Sequence, residues 1–155
     1  MTLAEYEERL KQEKDKLRLA VYFAREFMGA LGKEKALAII EKAWIKYGAD
    51  NWQGRLKGVP PEDTLKVMGE WFKAQEKARP ELKVIEATPK RLCIEIRKCP
   101  TYDVCQEMGV PEVCQKYCDS DYGAATLINP KLKLVRDKEL AYGADLCNHC
   151  WVMEE

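Results

Sequence analysis

Leu3, Leu10, Leu17, Ala24 and Leu31 recur every seven positions at the start of the chain, with Tyr6, Ala20, Val21, Phe27 and Met28 beside them. That spacing draws an apolar stripe down one side of a long helix over residues 2–31. Thr2 and Glu5 form a capping-box pattern at its start, and Gly32 marks its stop. A second helix is predicted from Lys33 to Tyr47, with Leu37, Ile40, Ala43, Trp44 and Tyr47 on one face and Gly48 as its end. Ala49 to Pro60 reads as a loop. Pro61 suits the first turn of a third helix, whose apolar side is Leu65, Met68, Trp71 and Phe72 and which Pro80 closes.

The period then switches to two. Lys83 to Ala87 reads as a short strand and Thr88-Pro89-Lys90 as a turn. Leu92, Ile94 and Ile96 alternate with Cys93, Glu95 and Arg97 in a half-buried strand that ends at Cys99-Pro100, because proline cannot continue a ladder. Short helices are predicted from Tyr102 to Met108 and from Pro111 to about Tyr122. After the Asn129-Pro130 turn, Leu132 to Leu140 and Leu146 to Met153 read as strands joined through Tyr142-Gly143. The expected fold class is α+β: N-terminal helices, then an antiparallel sheet built from two β-hairpins with two short helices between them. The helical region 1–80 and the cysteine-rich region 81–155 are expected to share one core as a single domain.

Charge changes this picture little. The chain has 155 residues, 46% apolar and 34% charged, and its 26 basic and 26 acidic residues cancel. A general nucleic-acid or anionic-membrane binder would need a basic surplus, so neither partner is expected. The balance is uneven along the chain: from position 99 onward five basic residues face ten acidic ones. No apolar run approaches the roughly 18 residues of a membrane span. The N-terminus carries charge at once and has no apolar signal core, so a cytoplasmic location is expected. Thiols stay reduced there, and the seven cysteines then read as ligands, nucleophiles or core residues rather than a disulfide framework. The first helix is either a solvated arm or one that pairs with a second copy as a homodimer.

All the cysteines but Cys93 lie between positions 99 and 150. Cys114 and Cys118 fall four apart and share a helix face, as does Asp121 beside Cys118. Asp119 should face elsewhere. Cys147 and Cys150 form a C-x-x-C pair, the usual spacing of a zinc site when it lies on a turn. On a strand they point to opposite faces, and Cys147 shares its face with His149, the only histidine. The alternatives are zinc or, less favoured, an iron–sulfur cluster on a set drawn from Cys99, Cys114, Cys118, Cys147, His149 and Cys150, or small buried thiols with no ligand role.

In order, Lys98-Cys99-Pro100, Gly109-Val110-Pro111-Glu112, Cys118-Asp119-Ser120-Asp121, Asn129-Pro130-Lys131-Leu132 and Gly143-Ala144-Asp145-Leu146-Cys147 resemble the motifs of the L-2-amino-thiazoline-4-carboxylic acid hydrolase family. The resemblance is best over residues 83–153. It implies a hydrolase acting on a small cyclic substrate with C–N and C–S bonds. It implies Cys99, Cys118, Asp121 and Cys147 as catalytic residues and Arg136 as the substrate-binding arginine. Asp137 departs from the family's threonine, and Asn148 and His149 depart from its Asp-Phe; Cys105, Cys114 and Cys150 are additions. The hairpin–helices–hairpin order is also similar to small-molecule-binding domains related to 4-vinyl reductase, which carry cysteine metal ligands near the same place. A non-enzymatic metal- or ligand-binding sensor or carrier is the alternative function.

Two mechanisms fit these residues. In one, a Cys118 thiolate attacks, Asp121 handles protons and Arg136 holds a carboxylate. The neighbouring Asp119 and Asp121 oppose ionisation of that thiol unless a cation is close. In the other, the thiols bind a metal that activates water, and the acidic surroundings then help.

Overall fold

The computed structural model describes residues 2–154. Helix α1 spans Leu3–Leu31, and its capping box forms as expected, with Thr2 and Glu5 each taking the other's backbone N–H. Gly32 ends it at φ 83°, a left-handed backbone value that glycine accepts without a Cβ clash. Helix α2 spans Lys33–Arg55 and so runs on past Gly48, where the sequence predicts a stop. A Cβ on Gly48 would meet Ala124 Cβ at 3.4 Å, and one on Gly123 would meet Ile45 Cδ1 at 2.8 Å. The two glycines let α2 pack closely on α5 (Pro111–Ile128). Continuing through a mid-helix glycine costs about 1 kcal/mol, less than the packing gained. For the same reason α5 does not stop near Tyr122 and is not short.

A 3-10 turn at Pro61–Asp63 leads into α3, Thr64–Glu76. Strands β1 (Leu82–Ala87) and β2 (Arg91–Ile96) form the first hairpin. Helix α4, Pro100–Glu107, starts with proline at its first turn, where a missing N–H is harmless. Strands β3 (Leu132–Val135) and β4 (Cys147–Met153) pair antiparallel, and the sheet order is β1-β2-β4-β3. The α+β architecture therefore stands. Strand β3 is shorter than the sequence predicts, because the chain leaves the sheet at Arg136, whose side chain turns into the interior. A 3-10 turn, Leu140–Tyr142, and Gly143 at φ 91° bring it back to β4.

Two apolar clusters hold these elements together. One lies between α3, α5 and the sheet, with Leu65, Met68, Phe72, Leu92, Ile94, Leu132 and Trp151. The other lies among the helices, with Val21, Ala24, Ile40, Val104 and Val113, and it takes in Cys105, Cys114 and Cys118. Each large apolar side chain buried this way contributes roughly 1.5–3 kcal/mol. The uneven charge of the chain resolves at the surface. Lys14 meets Asp103 (3.1 Å) and Glu107 (2.9 Å), Arg18 meets Glu107 (2.6 Å), and Lys33 meets Glu112 (2.7 Å). These exposed pairs register α1 and α2 on α4 and α5, at about 1 kcal/mol or less each.

One expectation fails outright. Cys93 and Cys150 face each other across β2 and β4 and form a disulfide. The strand register, set by strands that are not consecutive in the chain, brings together two residues 57 apart in sequence. Cys150 is thereby removed from any ligand set. On α1, Leu19, Phe23, Phe27 and Leu31 stand exposed. Among the described residues no helix is long and apolar enough to cross a membrane.

Candidate active site

Five cysteines keep free thiols: Cys99, Cys105, Cys114, Cys118 and Cys147. Four are buried, and Cys99 alone is partly exposed. Its position follows from the local sequence. Pro100 opens α4, so Cys99 becomes the residue capping that helix, in extended conformation. The backbone N–H groups of Tyr102 and Thr101 then point at its sulfur. Across the helix pair, α5 delivers the Cys114 thiol to the same sulfur. The Cys114 contact, aided by the two amides and the Thr101 side chain and opposed by burial, lowers the Cys99 thiol from 9.0 to about 7. Amides at a helix start favour a thiolate as they favour any anion.

Cys114 is the opposite case. It touches Cys105, Cys118 and Cys99, is fully buried, and is held protonated. Cys147 is pushed up to about 11 by burial, against a backbone N–H from Leu140 that reaches its sulfur at 3.3 Å. The charges of Cys118 and Cys99 oppose its ionisation as well, so the sulfurs at 99, 118 and 147 share one neighbourhood. Tyr117, edge-on to Trp44 at 5.0 Å, feels Asp121 together with Cys99, Cys118 and Cys114 and is held protonated chiefly by burial.

Arg136 organises the other half of the site. Its side chain has no solvent exposure. One terminal nitrogen lies 3.2 Å from Asp121 Oδ2 and 2.9 Å from His149 Nε2. The other donates to the Cys118 carbonyl at 2.7 Å and lies 3.1 Å from Glu139 Oε2. The guanidinium also covers the Tyr122 ring at 4.9 Å. Burial works against its charge, and Asp121 and Glu139 more than restore it. A guanidinium offers only donors, so a hydrogen bond at this contact requires His149 Nε2 as acceptor; Asp121 Oδ2 lies 3.4 Å from the same nitrogen. His149 Nδ1 and Arg136 Nε are buried without a hydrogen-bond partner among the described residues. His149 stacks on Trp151 at 5.6 Å.

The sequence-predicted residues thus fall into groups. Cys99, Cys114 and Cys118 meet at the α4–α5 contact, with Cys147 close by. Asp121, Arg136 and His149 form a second set that Cys118's carbonyl joins to the first. Cys150 lies on the opposite sheet face, in its disulfide. Asp119 does face elsewhere, accepting from Tyr142 Oη at 2.8 Å and pairing with Lys116. Among the described residues no three of His, Cys, Asp or Glu are arranged to hold a metal ion. Thr101, Glu139 and Tyr117 carry no signal in the sequence, and Cys105 is marked there only as an addition to the family pattern. Pro100 after Cys99 was the available signal for the helix cap. Asn129 of the Asn-Pro motif is structural: it bonds the Pro61 carbonyl at 3.0 Å and Thr64 Oγ1 at 3.1 Å, tying the start of α3 to the turn after α5.

A surface cleft of about 350 Å³ runs along α1 and is lined by Leu10, Lys11, Lys14, Arg18, Lys98 and Glu107 among others. Lys98 immediately precedes Cys99. A smaller cleft of about 120 Å³ lies between α3 and the β1–β2 turn, remote in sequence from the thiols.

The fold and this site define an α+β domain with a cysteine cluster between two helices and one thiol at its edge. The chain belongs to the L-2-amino-thiazoline-4-carboxylic acid hydrolase family, whose model matches residues 12–151. No curated protein matches the chain in sequence. Among solved structures it is similar to the phenol-responsive sensory domain of the transcription activator PoxR with phenol. The two share 12% identity and a TM-score of 0.55, over 88% of this chain and 73% of that one. It is also similar to trafficking protein particle complex subunit 3 from Naegleria fowleri, covalently bound to palmitic acid. There the identity is 14% and the TM-score 0.50, over 92% of this chain and 97% of that one. At these identities the likeness is one of fold.

The low ionisation of Cys99 has a direct test. Alkylation of the native protein by iodoacetamide is expected to label Cys99 first, with a rate that rises through a midpoint near pH 7. A midpoint near 9.0 would show an ordinary thiol. The same shift favours folding in alkali: its contribution is fully present above 9.0 and is lost as pH falls through about 7.

Proposed function

We propose that the protein is a hydrolase of small cyclic substrates of the 2-amino-thiazoline-4-carboxylate type, and that Cys99 is its nucleophile. The observation that carries this reading is Cys99 itself, partly exposed at the start of α4, where the Cys114 thiol and two backbone amides favour ionisation of its thiol. Cys118 is closed in the core beside Cys114, so attack passes from the cysteine favoured by the motif to its more accessible neighbour. The thiolate adds to the carbon between the ring nitrogen and sulfur. The ring C–N bond opens, with a proton taken up from solvent on nitrogen. Water then displaces Cys99, so that one water is added overall and the thiolate is regenerated. Asp121, fixed by Arg136 and with 35% of its side chain exposed, is the carboxylate suited to activate that water. No step uses a metal; stoichiometric zinc or iron in the purified protein would favour the thiols as ligands instead.

In this reading Lys98 meets the substrate carboxylate. It lines the cleft next to Cys99 in the chain, whereas the donors of Arg136 are enclosed and directed at Asp121, His149 and the Cys118 carbonyl. The test is ring opening of 2-amino-thiazoline-4-carboxylate followed by chromatography. Lys98→Met is expected to raise KM by roughly 10- to 100-fold, the worth of one charge-assisted hydrogen bond, with kcat nearly unchanged. Unaltered KM would remove Lys98 from the binding site. Binding of the compound without turnover would favour a sensor or carrier.

A further inference from the structure

The Cys93–Cys150 bridge lies outside the site above and on the other side of the sheet. Leu92 and Ile94 of β2 and Trp151 of β4 face the helices, so the intervening Cys93 and Cys150 face away from that core. This outer face is open near the bridge: Val135, paired with Cys150 from β3, is 57% exposed. The two sulfurs are not equivalent. Cys93 is 6% exposed, whereas Cys150 is half-buried. Arg91, two residues before Cys93 and on the same face, reaches both. Its Nε donates to Cys93 Sγ at 3.2 Å, and a terminal nitrogen lies 3.9 Å from Cys150 Sγ. Glu86 pairs with the same guanidinium at 3.4 Å and keeps it over the bridge.

We propose that this bridge is a thiol–disulfide exchange site for small aliphatic thiols, which join to Cys150 and release Cys93 as a thiolate held by Arg91. The incoming thiolate attacks Cys150 Sγ, on the more exposed of the two residues. The bond between it and Cys93 Sγ breaks, and the electron pair of that bond goes to Cys93. No net electrons are consumed: one disulfide becomes a mixed disulfide and one thiolate replaces another. Exchange speeds up as the leaving thiolate becomes more stable, and the closer Arg91 contact is to the sulfur that leaves. The inference does not depend on the role given to Cys99.

The experiment uses the full chain, purified without reductant, with reduced glutathione as the probe. Alkylation after denaturation is first expected to label five thiols, and seven after reduction. Seven before reduction would overturn the proposal. Native protein is then incubated with glutathione near neutral pH, quenched in acid, alkylated and mapped by mass spectrometry. Glutathione is expected on Cys150 and the alkyl label on Cys93. Glutathione on Cys93, or exchange only after unfolding, would overturn it. Arg91→Leu is expected to slow exchange by about fivefold, since the leaving thiolate loses its cation. A loosened sheet would instead expose the bridge and speed exchange. An unchanged or faster rate in Arg91→Leu would therefore discard the role of the arginine and with it the proposal. Arg97→Leu, at the end of β2 and paired with Glu95, is the control expected to keep the wild-type rate.

Discussion

Cys99→Ser is expected to reduce turnover of 2-amino-thiazoline-4-carboxylate by at least about 10³-fold while the protein stays folded. A serine hydroxyl at the same helix start receives the same amides, but it does not ionise near neutral pH, so the loss should fall on kcat. The matching variant is Cys118→Ser. Cys118 lies in the helix cluster at 6% exposure, so its replacement should cost stability through a buried hydroxyl, by about 1–3 kcal/mol, and leave kcat within a few-fold. Steady-state kinetics with a urea midpoint for each variant separates the two effects. If Cys118→Ser abolishes turnover at full stability and Cys99→Ser does not, the nucleophile is Cys118 and the exposure argument fails. The pH profile adds an independent check. In wild type kcat/KM should rise with pH through a limb near 7, the ionisation of Cys99, and that limb should vanish in Cys99→Ser.

The order of elements was legible in the sequence. Thr2 with Glu5, Gly32, Pro61 and Pro100 carry local, directional information about where helices begin and end, and the alternation around Leu92, Ile94 and Ile96 fixes a strand and its faces. The same alternation placed Cys147 and Cys150 on opposite faces. What failed depends on partners distant in the chain. Gly48 stays helical because Ala124 of α5 packs against it. The pairing of Cys93 with Cys150 exists because β4 inserts between β2 and β3, a topology no local pattern states. The expectation of reduced thiols takes no account of that register, which sets two of them face to face. Cys118 looked the better nucleophile because a motif marks it. The case for Cys99 rests on its partial exposure, on the Cys114 thiol and on two backbone amides, which only the folded chain brings together.

Arg136→Leu is expected to destabilise the fold by about 3–5 kcal/mol, the cost of breaking a buried ion pair by removing one partner. Two carboxylates depend on this cation, Asp121 and Glu139, and the side chain of Glu139 is only 14% exposed. The Cys118 carbonyl also loses its donor, and His149 Nε2 loses the hydrogen bond that fixes the ring. Loss of apolar packing alone would predict a smaller effect, since leucine fills part of the same space. The double variant Arg136→Leu with Glu139→Gln distinguishes the causes. If uncompensated charge dominates, the second change should restore about 1–2 kcal/mol, a non-additivity readable from urea unfolding of the four proteins in the cycle. Arg136→Lys should fall between wild type and the leucine variant, because one ammonium cannot reach Asp121, Glu139, the carbonyl and the imidazole together. An additive cycle with a loss below about 1 kcal/mol would mean that Asp121 and His149 are held by other contacts, and Arg136 would lose its role as the residue that positions them.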